Sequence, residues 1–123
     1  MFVYMLLCAD SSIYTGTARD LEKRMRDHFE KTPAAAAYTR AKGASYLLAA
    51  WECETFSGAL RAEAAIKRLT RKDKERLIAG VIGLTKDSFP KIGEECFLRL
   101  SDADARMVAI RTAYPKTALD API

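Results

Sequence analysis

Two short β-type runs at the start of the chain constrain its fold most. FVYMLLC at residues 2–8 and SIYTG at 12–16 are joined only by the polar turn around Asp10–Ser12. So short a connection leaves the two runs an antiparallel hairpin as their natural pairing. The second run ends on Gly16, where the backbone is free to bend sharply, and a helix pattern begins almost at once. Thr17 with Asp20 three positions on resembles a capping box built with the shorter acid. Leu21, Met25 and Phe29 then recur at spacing four as an apolar stripe. The first thirty residues thus predict a helix following a two-stranded ribbon.

A third strand is predicted over SYLLAAWECE at 45–54, which is short and apolar, although its Leu-Leu-Ala-Ala centre leaves a helix open. Ser57 is read as the N-cap of a helix over 58–69. Thr70 with Asp73 looks like a second capping box, opening a helix that ends before Gly80. Two strands, a helix, a strand and two helices make an α/β or α+β sandwich: a small three-stranded, largely antiparallel sheet flanked by helices. That unit is assigned to residues 1–82 and a C-terminal extension to 83–123. In the extension GEECFLRL reads as an edge strand, and SDADARMVAIRTAY as a helix capped near Ser101 or Asp102 and halted before Pro115. Ala103, Met107, Ile110 and Tyr114 give this helix an apolar stripe that calls for cover, from the domain or from a sister subunit in a homodimer.

At 123 residues the chain is one ordinary domain, long enough for a core without disulfides or a structural metal. It has no apolar run of the roughly 18 residues that span a bilayer. MFVYMLLCAD lacks the basic start and small-residue cleavage site of a signal peptide, so a cytoplasmic protein with no membrane partner is expected. Cys8, Cys53 and Cys96 are odd in number and widely spaced, a pattern of reduced core thiols and not of a disulfide framework or a zinc site. The net charge of +4 lies wholly in residues 1–80, which hold 14 Lys and Arg against 10 Asp and Glu. Within LRAEAAIKRLTRKDKERLIAG, Arg61, Lys67, Arg68, Arg71, Lys72, Lys74 and Arg76 stand against only Glu63, Asp73 and Glu75. Such a cluster is a footprint for phosphates or a solvated helical face laced with ion pairs; composition supports both about equally.

Arg24 and His28 stand at i and i+4, so the first helix projects a cation and the chain's single imidazole from one face. Tyr4 and Tyr14 lie on the two hairpin strands, and Thr15-Gly16 forms the bend before the helix. Glu63, flanked by Arg61 and Lys67, is an oxygen ligand of the kind a hard cation such as Mg²⁺ prefers. Singly, each has a plain structural reading: a packing tyrosine, a structural histidine, an ion-paired glutamate.

As an ordered series these residues resemble the GIY-YIG endonuclease family, in particular its small stand-alone single-domain branch. FVY ending at Tyr4 corresponds to the family's first tripeptide, and YTG at Tyr14–Gly16 to its second, about ten residues later. The family arginine falls on Arg24 within DLEKRMRDH, and the histidine one turn later on His28. YTR at 38–40 looks like the segment that small members place before the third strand. LRAEAAIKRLTRKDKERL resembles the helix bearing the metal-binding glutamate, here Glu63, with the helix-turn-helix that follows. The likeness covers roughly residues 2–80. Phe2 departs from the family glycine, Thr17 from a lysine found in some members, and the stretch before YTR is rich in alanine where glycine is usual.

The resemblance implies a metal-dependent DNA endonuclease in which Mg²⁺ or Mn²⁺, held by Glu63 and waters, polarises the scissile phosphate. Arg24 would offset charge on the phosphoryl oxygens. Tyr4 would activate the attacking water with His28 accepting its proton near neutral pH, and Tyr14 would orient the water or the phosphate. Substrate contacts are expected from Thr15, Gly16, Arg40, Lys67, Arg68 and Lys72. The DNA is expected to be read through its backbone, as a single-stranded, branched or duplex substrate, with Tyr38 or Tyr46 available to stack on bases. Two other readings use the same residues: a non-catalytic nucleic-acid-binding module, and a protein-interaction domain docking through residues 85–123.

Overall fold

A computed structural model describes residues 1–31, 33 and 36–101. The elements run β1 (Phe2–Cys8), β2 (Ile13–Ala18), α1 (Leu21–Glu30), α2 (Ala37–Lys42), β3 (Ala44–Cys53), α3 (Phe56–Lys67), α4 (Arg71–Ile78) and β4 (Phe97–Arg99). The strands form one antiparallel sheet in the order β2-β1-β3-β4. The α+β class is as expected; among the described residues the sheet has four strands, because the edge strand expected in GEECFLRL, Phe97–Arg99, pairs with Trp51–Cys53 and joins the three strands expected of the domain.

Two helix caps differ from expectation. Thr17 lies inside β2, and Asp20 caps α1 from an extended backbone, its carboxylate accepting from Lys23 N–H at 3.0 Å. A cap must stand immediately before the first helical residue, and Thr17 is three positions too early. At α3 the cap is Thr55, whose hydroxyl accepts from Gly58 N–H at 2.9 Å; Ser57 sits in the first turn and accepts from Arg61 instead. Thr70 caps α4 as expected, accepting from Asp73 N–H. The short helix α2 was not anticipated.

Alternation along β1 splits the core in two. Val3 and Met5 pack with Ala59, Ala62 and Ile66 of α3 and Leu77 of α4, whereas Tyr4 and Leu6 pack with Leu21 and Met25 of α1. In β3 the register passes from Ala49 opposite Met5 to Leu47 opposite Leu6, leaving Leu48 as a bulge. The bulge sends Leu47 and Ala49 to opposite faces, which is why the Leu-Leu-Ala-Ala centre shows no clean strand alternation. Leu84, Phe89 and Ile92 join the α3 cluster, so residues beyond 82 contribute to that core. Arg99 donates to the carbonyls of Leu77 and Ile78 at the end of α4 and lies over the Trp51 ring.

Cys8 and Cys53 are buried free thiols, but Cys96, just before the edge strand, is exposed, which corrects the expectation of three core thiols. No helix among the described residues is long and apolar enough to cross a membrane. The helix expected beyond Ser101, and any subunit contact through it, lie outside the described residues.

Candidate active site

The hairpin register sets Tyr4 directly opposite Gly16. A Cβ at Gly16 would stand 2.6 Å from the Tyr4 hydroxyl and 2.9 Å from the Tyr14 ring, so the missing side chain is what lets the phenol lie there. From the other direction α1 brings His28, whose Nε2 is 2.6 Å from the Tyr4 oxygen. Its Nδ1 is 2.7 Å from the hydroxyl of Thr39, on α2. Tyr4, His28 and Thr39 are all fully buried. His28, not Phe29, takes the third buried position on α1 after Leu21 and Met25. Tyr14 packs against both Tyr4 and His28, and Tyr38 of α2 stacks on its outer side at 5.7 Å while remaining exposed.

Three charges act on this buried pair. The Arg24 guanidinium stands beside the Tyr4 hydroxyl. Glu63, projecting from α3, contributes its negative charge at the same hydroxyl and lies 3.6 Å from Lys67. Asp27 acts on His28. Burial pushes the Tyr4 phenol well above its ordinary value against the pull of Arg24, so the hydroxyl keeps its proton. Burial, followed by the Arg24 charge, pushes His28 down to about 4. The imidazole is therefore neutral at pH 7, which corrects the expectation that it titrates near neutrality.

Tyr4, Tyr14, Gly16, Arg24, His28 and the charge of Glu63 come together. Thr15 does not join them: it is buried, and its Oγ1 has no hydrogen-bond partner among the described residues. The expected substrate contact through its side chain is not available, because alternation turns it away from the face of Tyr14 and Gly16. Arg40, Lys67, Arg68 and Lys72 are exposed; Lys67 is paired to Glu63, whereas Arg68 and Lys72 make no ion pair among the described residues. Tyr46 is exposed on β3 and, among the described residues, makes no ring contact with the cluster. A depression of about 260 Å³ lined by Ala18, Arg19, Asp20, Lys23, Arg24 and Asp27 opens beside Arg24. A cavity of about 420 Å³ between α3 and the segment around Phe89 contains none of the cluster. Thr39 is the residue that sequence reasoning missed; its signal lay in the YTR segment, whose middle residue was given no role.

Residues 1–76 match the family described as the GIY-YIG catalytic domain, a stretch that contains every member of the cluster. The chain belongs to the GIY-YIG family. A UPF0213 protein of Bacillus velezensis is 46% identical over 77 residues, 63% of this chain and 76% of the relative. The UPF0213 protein YhbQ of Escherichia coli O157:H7 is 39% identical over 85 residues, 69% of this chain and 83% of its own. The solution NMR structure of a UPF0213 protein from Bacillus halodurans is 37% identical, covers 63% of this chain and 81% of that chain, and has a TM-score of 0.42. GIY-YIG domains are of the nuclease type and generally depend on a divalent metal. The GIY-YIG match stops before Leu77, so Leu84, Phe89, Ile92 and β4 complete the core from outside it.

Proposed function

We propose that this chain is a metal-dependent DNA endonuclease that hydrolyses phosphodiester bonds, with Tyr4 and His28 activating the attacking water. The observation that carries the reading is the buried hydrogen bond from Tyr4 to His28, with Arg24 beside the same hydroxyl and the charge of Glu63 acting on it. A tyrosine used only for packing gains nothing from charged groups gathered at its buried oxygen, where desolvation makes them costly; a tyrosine that relays a proton does.

The donor set fits Mg²⁺ or Mn²⁺. No group of three or more ligating side chains gathers among the described residues, and a single carboxylate suits a hard cation that keeps most of its waters and takes phosphate oxygens from its substrate. Glu63 would hold it. When bound, such an ion polarises the scissile phosphate and stabilises the departing oxygen.

The chain's own residues supply the remaining steps. The water gives a proton to the Tyr4 oxygen as the Tyr4 proton passes to His28 Nε2. The water oxygen then bonds to phosphorus, the P–O bond to the leaving strand breaks, and the leaving oxygen takes its proton from solvent. Tyr4 stays neutral, in keeping with its raised pKa. The imidazolium formed beside Arg24 is unfavourable in the free protein. A phosphate bound in the depression beside Arg24 offsets that charge and makes the proton transfer easier, while Arg24 steadies the phosphoryl oxygens. Tyr14 orients the water or the phosphate; Arg40, Arg68 and Lys72 contact the DNA backbone. Buried free thiols at Cys8 and Cys53 accord with a cytoplasmic setting.

An end-labelled cleavage assay on single-stranded, forked and duplex DNA, with Mg²⁺, Mn²⁺ or chelator, tests the reading. Metal-dependent cutting by the wild type that Glu63→Ala loses while still binding DNA is the expected result. No cutting with either metal, together with binding that Arg68→Ala and Lys72→Ala weaken and make less salt-dependent, would show a non-catalytic binding module.

A further inference from the structure

The hydrogen bonds around His28 form a chain with one consistent direction. The Thr39 hydroxyl lies 3.0 Å from the carbonyl oxygen of Ala36, which only accepts, so its single proton goes there. Its oxygen must then accept from His28, 2.7 Å away, which places the neutral imidazole's proton on Nδ1. Nε2 is left bare and accepts from the Tyr4 hydroxyl at 2.6 Å. Each of the three side chains is fully buried in the free protein, so bulk water does not compete for the bond between His28 and Thr39, and the attacking water has to reach only the Tyr4 oxygen.

We propose that Thr39 is a positioning residue: anchored to the Ala36 carbonyl, its hydroxyl accepts from His28 Nδ1–H and so holds the imidazole in the one tautomer whose Nε2 can take the Tyr4 proton. The role rests on the proposed hydrolytic reading for its consequence but not for its geometry. In the other tautomer Nε2–H would point at Tyr4 as a donor, and the relay from water through Tyr4 would have no acceptor. The placement also explains α2. Ala36 and Thr39 stand three apart around its first turn, and that turn carries the hydroxyl to a ring that α1 has already buried.

Because His28 is the chain's only histidine, ¹⁵N spectra of the imidazole in the full-length, metal-free protein at pH 7 read the tautomer without assignment or turnover. The wild type and Thr39→Ser, which keeps the hydroxyl, are expected to show Nδ1 protonated and Nε2 bare. Thr39→Val, of similar shape but without an acceptor, is expected to lose that preference; Thr39→Cys, whose thiol accepts poorly, serves if the valine variant does not fold. In cleavage, kcat should fall about 10- to 100-fold in the valine or cysteine variant, as when the partner orienting a functional histidine is removed, with KM little changed and serine restoring the rate. A wild-type ring protonated on Nε2, or a folded valine or cysteine variant that keeps the wild-type tautomer, would overturn the proposal. Absence of cleavage in the wild type would sink the nuclease reading and leave the tautomer test standing.

Discussion

At the scale of single residues the site is an exercise in removing water from a tyrosine and a histidine while surrounding them with charge. His28, facing Tyr4, Tyr14, Arg24 and Asp27, should titrate near 4 by NMR; a midpoint close to the ordinary 6.5 would contradict a ring buried beside the Arg24 charge. Gly16→Ala is expected to displace the Tyr4 phenol, because the new Cβ meets a buried ring that cannot swing aside. The expected cost is about 1–3 kcal/mol of stability and about 100-fold in cleavage, as a displacement of roughly an ångström entails, measured by urea unfolding and single-turnover kinetics. Tyr4, Tyr14, Arg24, His28 and Glu63 stood out in the sequence only as an ordered series that resembles the GIY-YIG family; taken singly, each has a plain structural reading. Thr39 was not, since it arrives on a short helix whose main local signal is alanine. The low pKa of His28 was hidden too, because it depends on how deeply the ring is packed.

The elements hold these residues through a few local contacts. The N-terminus of α3, the helix that carries Glu63, is closed by Glu95 from far along the chain. Its carboxylate accepts from the amides of Glu54 and Thr55 and from the Thr55 hydroxyl at 2.7–3.0 Å. Burial would raise this carboxyl, but the Thr55 and Glu54 bonds and the Arg61 charge hold it below its ordinary value. Gly58 is what allows the approach, since a Cβ there would collide with the carboxylate. Gly58→Ala and Glu95→Ala are both expected to lower stability by about 1–2 kcal/mol, the range for a lost helix cap. Urea midpoints unchanged in both would show that the contact contributes nothing. Strands β1 and β2 could be read from sequence because two short β-type runs flank one polar turn, β3 because its run is short and apolar, and α1 because Leu21 and Met25 recur at spacing four. The caps at Asp20 and Thr55 were displaced from the expected positions because several Ser, Thr and Asp residues stand near each helix start, and only the backbone shows which is extended. The bulge at Leu48 left no sequence mark beyond a broken alternation.

For the whole molecule, the buried imidazole links folding to pH. An unfolded histidine binds a proton below about 6.5 and the folded one only below about 4. Between those values the unfolded state holds the extra proton, so this contribution is complete above 6.5 and is lost as pH falls towards 4, by about 3 kcal/mol in total. Urea titrations at pH 7 and pH 4.5 should show that loss, and His28→Gln should lack this part of it. The same burial makes His28 a neutral acceptor at working pH, so stability and the proposed chemistry draw on one feature. The measurement that bears most directly on the proposed function is the cleavage rate of Tyr4→Phe on DNA with Mg²⁺ and with Mn²⁺, alongside its DNA affinity. A loss of about 10²- to 10⁴-fold in rate with binding retained is expected if the hydroxyl relays the water's proton. A Tyr4→Phe protein that cuts at the wild-type rate would contradict it.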